Sequence, residues 1–337
     1  MGSHSGKASM KTGKIPENVL KRSILKQLQT KREEVLIGAG VGEDCAILTL
    51  AEDEVFVVST DPITGTSKDA GMVAVHITAN DLASSGAEPI ALLVSALLPE
   101  TIEELEIREL MAQMETVCAE LHIQIAGGHT EVTKAVNQPI LTVTGIGKAK
   151  KDRIITTKGA KPGQDIVMSK WIGLEGTSIL AKEKEALLLT RYPSHLVEEA
   201  KAFDRFLSIV PEAATAGKSG VTAMHDVTEG GIFGALWELA ESSGVGLEVD
   251  LKQISVRQET IEICEFFELN PYELISSGSL LMVTDDGLDL VRKLRQAHIP
   301  AAVIGKIRDG NDRVVINEEE RRYLEPPKSD ELYKVMS

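Results

Sequence analysis

The sequence has no run of the roughly 20 apolar residues needed to cross a bilayer, and its first residues lack the apolar stretch of a signal peptide. These absences set the expectation of a soluble, cytoplasmic protein. Positive charge is scarce: 36 Lys and Arg stand against 51 Asp and Glu, a formal net charge of −15. A surface of that sign repels nucleic acid and anionic membranes, so a polyanionic ligand would need bound cations between it and the chain. Cysteine is sparse too. Cys45, Cys118 and Cys264 are odd in number, far apart and free of any CxxC spacing, which excludes a disulfide framework or a zinc site and reads as reduced thiols. GxxxxGK[ST], GxSxG and HExxH are all missing, so a P-loop, a nucleophile elbow and a zincin site are excluded.

The 337 residues are too many for one ordinary domain, and 43% hydrophobic with 26% charged residues is the balance of a globular chain with a sizeable core. The opening MGSHSGKAS, residues 1–9, reads as an expression remnant, with a natural start near Met10. Short apolar or β-branched runs at 35–37, 45–50, 55–59, 90–98, 123–126 and 140–146 predict strands. Helical spacing predicts helices over 16–29, 70–85 and 102–121. The polar turn KGAKPGQ, 158–164, is the domain boundary, giving an N-terminal domain over 10–158 and a C-terminal one over 159–317. The second half predicts helices at 178–189, 196–209, 231–242, 257–267 and 288–298, with strands at 222–225, 246–249, 280–283 and 301–307. The mixture indicates an α/β or α+β fold. The polar, proline-broken tail 318–337 is expected to be partly mobile.

Two local patterns bear on chemistry. VLIGAGVGED, residues 35–44, imitates a dinucleotide-binding turn, with Asp61 placed as the ribose acid would be. Glu43 occupies the third glycine position, however, and the following DCAILTLAED leaves no room for a crossover helix, so a glycine-rich hairpin fits as well. The second pattern is the recurrence of acids beyond apolar runs or beside glycine turns: Glu43, Asp44, Asp61, Asp81, Glu131 and Asp226. Taken singly, each suits a helix cap or a solvated turn. Gathered at one sheet rim they would repel one another unless hard cations such as Mg²⁺ sat between them, and Mg²⁺ in turn binds nucleotide phosphates. Asp81 stands apart because it interrupts an apolar, small-residue helix, where an unpaired carboxylate is costly to bury. Gly127 and Gly128 follow a strand and Gly230 and Gly231 open a helix, positions suited either to ordinary tight turns or to phosphate.

In order, GEDCAIL, VSTDPI, HITANDLASSGAEPIAL, IAGGHTEV, TVTGIGKA, KGAKPGQDIVMS and HDVTEGGIFGAL resemble the motif series of the aminoimidazole ribonucleotide (AIR) synthetase superfamily, and within it the HypE-like members. The resemblance spans about residues 35–305. It implies a two-domain fold, an N-terminal mixed sheet completing a barrel across a homodimer, and a C-terminal α/β domain. It also implies ATP held through Mg²⁺. Carried over residue by residue, Asp44, Asp61, Asp81 and Asp226 match the metal or phosphate acids, and Gly127, Gly128, Gly230 and Gly231 match phosphate-proximal turns. We take Asp81, His129 and Asp226 as the expected catalytic residues, with Glu131 beside the nucleotide.

Three departures stand out. His129 occupies a position where the family carries Asp or Glu. The sequence ends in YKVMS, where HypE proteins carry a reactive terminal cysteine. The segment before Gly38 lacks the Cys or selenocysteine of selenophosphate synthetases. The expected activity is ATP- and Mg²⁺-dependent phosphorylation of an oxygen, of amide or carbamoyl type, on a small molecule or modified side chain, with a maturation protein as a further partner. The alternatives are a small-molecule kinase resembling thiamine-monophosphate kinase and an ATP-binding maturation or scaffold protein without turnover.

Overall fold

A computed structural model describes residues 13–40, 45–63, 69–326 and 329–336. The chain divides into two compact units, one of residues 1–82 and 87–151, the other of 83–86 and 152–337. The division at Lys151–Asp152 lies upstream of the KGAKPGQ turn.

In the first unit the strands are β1 (Gly13–Lys14), β2 (Val35–Ile37), β3 (Ile47–Leu48), β4 (Glu54–Ile63), β5 (Glu88–Leu98), β6 (Gln124–Val132) and β7 (Ile140–Lys150). Strands β2 and β3 form a hairpin, and the others a five-stranded sheet in the order β1-β6-β5-β7-β4, with β5 and β6 parallel. Along β7 every second residue is buried, as period-two alternation requires. The buried set faces the Ala70–Ser84 helix: Thr78 and Leu82 close onto Gly145. The second helix, Glu104–Leu121, starts at a capping box of Glu103 and Glu106 and buries Ile107, Met111, Met114, Val117 and Cys118 at helical spacing. The amphipathic segment predicted over 16–29 is helical only through Glu17–Val19 and a wider π-type turn at Leu20–Leu25.

The second unit holds β8 (Asp165–Ser169), β9 (Ala223–Val227), β10 (Gly246–Asp250), β11 (Ser279–Thr284), β12 (Ala301–Arg308), β13 (Arg313–Asn317) and β14 (Glu320–Tyr323), in the order β14-β13-β10-β12-β8-β11-β9. All six residues of β11 are buried. Leu281 and Val283 pack with the Gly231–Ser243 helix, while Leu280 and Met282 pack with the Val210–Gly217 and Gly287–Gln296 helices. A continuous apolar run is what a strand covered on both faces needs, and each fully buried Leu or Val contributes about 1.5–3 kcal/mol. A third cluster joins the Leu174–Glu183, Ser194–Lys201 and Gln258–Phe266 helices and includes Leu332 from the tail. The tail expected to be mobile therefore contains the β14 strand and a docked segment in which Asp330, Glu331 and Leu332 are buried.

Among the described residues, no helix is long and apolar enough to cross a membrane. The three cysteines are unbridged, Cys45 exposed and the other two buried.

Candidate functional site

Strand β4 brings two of the expected acids together. Ser59 and Asp61, two residues apart, share the face that meets the Ala70–Ser84 helix, because they pair in register with Gly145 and Val143. Asp81 comes from that helix. The Ser59 hydroxyl donates to Asp81 Oδ2 at 2.6 Å and lies 3.2 Å from Asp61 Oδ2. One hydroxyl thus stands between two half-buried carboxylates. The donor set consists of hard oxygens, and two carboxylates plus phosphate oxygens and water is an ordinary Mg²⁺ shell, so these residues fit the ion. Among the described residues no group of three or more His, Cys, Asp or Glu is placed to hold a metal. Asp44 and Glu43 lie outside the described residues.

His129 and Glu131 are elsewhere. Both lie on β6, and His129 pairs in register with Ser95, which pairs with Thr142, so they share the face opposite to Asp61. His129 Nε2 is 3.2 Å from Glu131 Oε2. That face carries a groove of about 530 Å³ lined by Cys45, Ser95, Gly127, Gly128, His129 and Thr144 among others. Gly127 and Gly128 form no turn: β6 runs through them in parallel pairing with β5, past a register shift at Leu92/Leu93. Gly128 is obligatory there, since its φ is 148° and a Cβ would lie 1.9 Å from Val94 O.

Asp226 belongs to the second unit. It is buried near the end of β9, opposite Leu280, just before the turn at 228–231. Gly230 and Gly231 open the helix as expected, both with positive φ, and a Cβ on Gly231 would meet Tyr272 O at 2.5 Å. Their amides, however, are already engaged. Gly230 donates to Asp330 Oδ2 at 2.7 Å, Gly231 to Thr228 O at 3.1 Å, Phe233 to Tyr272 O at 3.1 Å, and Gly234 to Gly230 O at 3.1 Å.

Sequence reasoning missed Asp330 and Glu175. Asp330, 3% exposed, also accepts from the Ile275 amide at 3.2 Å and the Leu332 amide at 2.9 Å. Burial raises its carboxyl above the usual range despite those amides. Glu175, in the first turn of the Leu174–Glu183 helix, is pushed up to about 7 by burial, with Ser277 beside it and the negative charges of Asp330 and Glu229 adding to the shift. The signal for Asp330 was the apolar Leu332 directly after the acidic pair beyond the proline break; Glu175 gave none.

Two layered α/β units, one presenting paired carboxylates and the other a glycine turn, define an AIR synthase-type class of protein. The AIR synthase related protein N-terminal domain matches residues 42–149 and the C-terminal domain residues 161–317. The chain belongs to the AIR synthase related family. It is 28% identical to the putative hydrogenase expression/formation protein of Methanocaldococcus jannaschii, over 96% of this chain and 97% of that one. It is 30% identical to the carbamoyl dehydratase HypE of Rhodobacter capsulatus, over 73% of this chain and 70% of that one. The solved structure of the hydrogenase maturation protein HypE in complex with ATP has the same fold, with a TM-score of 0.75 at 22% identity, covering 96% of this chain and 98% of that one.

Proposed function

We propose that the chain is an ATP-dependent phosphoryl-transfer enzyme that uses Mg²⁺ and phosphorylates an amide- or carbamoyl-type oxygen. The reading is supported most by one observation, the Ser59 hydroxyl shared between Asp61 and Asp81. Those carboxylates would hold the cation, and Ser59 would fix the Asp81 oxygen that faces it. Bound Mg²⁺ supplies neutralisation of the triphosphate charge and its alignment for in-line transfer. In the second unit, Asp226, just before the 228–231 turn, would supply a carboxylate for a nucleotide-bound cation. His129 and Glu131 lie on the opposite face of the sheet and take no direct part in this transfer. In the transfer, the acceptor oxygen bonds the γ-phosphorus as the bond to ADP breaks. Loss of that phosphate from an amide oxygen amounts to removal of water, the outcome that the name carbamoyl dehydratase states for the relative. The acceptor is a small molecule or a modified side chain presented by a maturation partner, and the setting is cytoplasmic.

A homodimer goes with this reading. Strand β4 is a long sheet edge, with Phe56 and Val58 exposed by 47% and 61%, and Leu36, Ile37 and Ile47 are exposed as well. An uncovered apolar edge of this kind invites pairing with a second copy. Light scattering would find a dimer, and Val58→Asp a monomer.

The decisive measurement is calorimetric titration with Mg·ATP. The wild type binds, and Asp81→Asn lowers turnover about 10²–10³-fold with little change in melting temperature. No binding by the wild type would remove the proposal. Release of inorganic phosphate, as against accumulation of a phosphorylated product, separates the dehydratase-like reading from a simple kinase.

A further inference from the structure

We infer that Asp330, in the C-terminal tail, is a positioning residue that fixes the glycine turn at 228–231 and through it the placement of Asp226; the inference deepens the nucleotide reading above and rests on it.

Three segments far apart in sequence are stitched together around this carboxylate. Asp330 Oδ2 takes the Gly230 amide, and Oδ1 takes the Ile275 and Leu332 amides. The 270–276 loop is bound to the turn in its own right: the Ser276 amide donates to Thr228 O at 3.2 Å, and the Phe233 amide to Tyr272 O at 3.1 Å. The tail is bound to that loop as well, since Glu331 Oε2 accepts from the Asn270 amide at 2.9 Å. Gly231, with φ of 63°, approaches the loop so closely that a Cβ there would lie 2.5 Å from Tyr272 O. The turn is therefore held on one side by the loop and on the other by a single side chain of the tail.

That side chain is a costly choice for an anchor. A carboxylate that is 3% exposed loses its hydration, and the neighbouring acids Glu175 and Glu331 add repulsion. Anchoring needs no charge, because Leu332 already packs into the helical cluster beside Leu180, Ile263 and Leu274. The two functions are thus divided between near neighbours: Leu332 holds the tail down, and Asp330 uses it to aim the turn. A carboxylate accepting amides at the start of a 13-residue helix also meets the favourable end of the helix dipole.

The test uses the full chain with Asp330→Ala, Asp330→Asn and Leu332→Ala, reading Mg·ATP affinity by calorimetry, thermal unfolding, and hydrogen exchange of the 228–234 amides. Asp330→Ala should weaken Mg·ATP binding about tenfold, equivalent to about 1.4 kcal/mol, and strip exchange protection from Gly230. Asp330→Asn, which keeps one acceptor oxygen, should fall between. Leu332→Ala should lower the melting temperature and leave affinity unchanged. Equal shifts of affinity and melting temperature in Asp330→Ala and Leu332→Ala would reduce Asp330 to an anchor and overturn the inference. Unchanged or tighter binding in Asp330→Ala would overturn it too, the latter by making the carboxylate a competitor of phosphate. If the wild type binds no Mg·ATP, the nucleotide reading fails by itself; retained Gly230 protection in Asp330→Ala then overturns the positioning role, and lost protection upholds it.

Discussion

In the first unit Glu34, 6% exposed, is met by Arg32 and Lys148, and Arg32 reaches Glu88 as well at 2.7 Å. In the second, Glu175 is similarly little exposed and, among the described residues, those that act on it are Ser277 and the acids Asp330 and Glu229. The Arg32 guanidinium holds Glu34 down at about 2, while burial lifts Glu175 to about 7. Even where the second unit does pair a buried acid, Glu212 with Lys170 at 2.6 Å, burial outweighs the partner and draws both groups toward their neutral forms. Similar surface exposure thus goes with opposite titration: at Glu34 two cations outweigh a modest desolvation, whereas at Glu175 and Glu212 a deeper desolvation wins, with or without a cation. Glu34 stabilises its unit above its unfolded value of 4.5, and that contribution is lost as pH falls toward 2. Glu175 is harmless below 4.5 and costs its unit stability as pH rises through 7.

The contrast can be broken most strongly at Arg32. Arg32→Ala leaves a buried carboxylate with Lys148 alone and should destabilise the first unit by about 3 kcal/mol, seen as earlier unfolding in calorimetry at neutral pH. An unchanged transition would mean that the network is solvated in solution. Next comes Glu175→Gln, which removes the titrating group. It should stabilise the second unit by about 2–3 kcal/mol at pH 8 and by nothing measurable at pH 4.5, flattening the pH dependence. A gain independent of pH would locate the cost in packing. The smallest effect sharpens the comparison. Glu104 is also held at about 2, by Arg22, but its pair is open to water, the side chains being 24% and 51% exposed. Arg22→Ala should cost less than about 1 kcal/mol by the same calorimetry, because screening by solvent, and not the size of the shift, sets the value of the pair.

Much of this architecture was legible beforehand, for reasons particular segments make clear. Strand β7 and the 104–121 helix advertise themselves through strict periodicity, and Asp81 through its place in an apolar helix. Its neighbour Ser59 gave no signal, because a hydroxyl in an alternating strand reads as an ordinary outward residue until the helix above it is known. Gly127 and Gly128 were misread as a turn: glycine pairs usually end a strand, but here parallel pairing with β5 carries the chain through. Strand β14 was missed because it lies at a sheet edge and is exposed at all four residues, and β13, one strand in, because it buries two adjacent residues, so no alternation marks either. Docking of the tail depends on amides supplied by remote loops, which no local pattern encodes.

The β4 strand also limits how this chain can change length. Asp61 faces the Ala70–Ser84 helix and Thr60 faces the other way, bonding to Thr144 at 2.9 Å. Deleting one residue ahead of this stretch would swap the two, sending the carboxylate away from Asp81 and placing a methyl-bearing hydroxyl beside it. Removing two would keep the parity. Insertions and deletions before Asp61 are therefore tolerable in even steps, whereas an odd step costs the acid pair while leaving the strand itself intact.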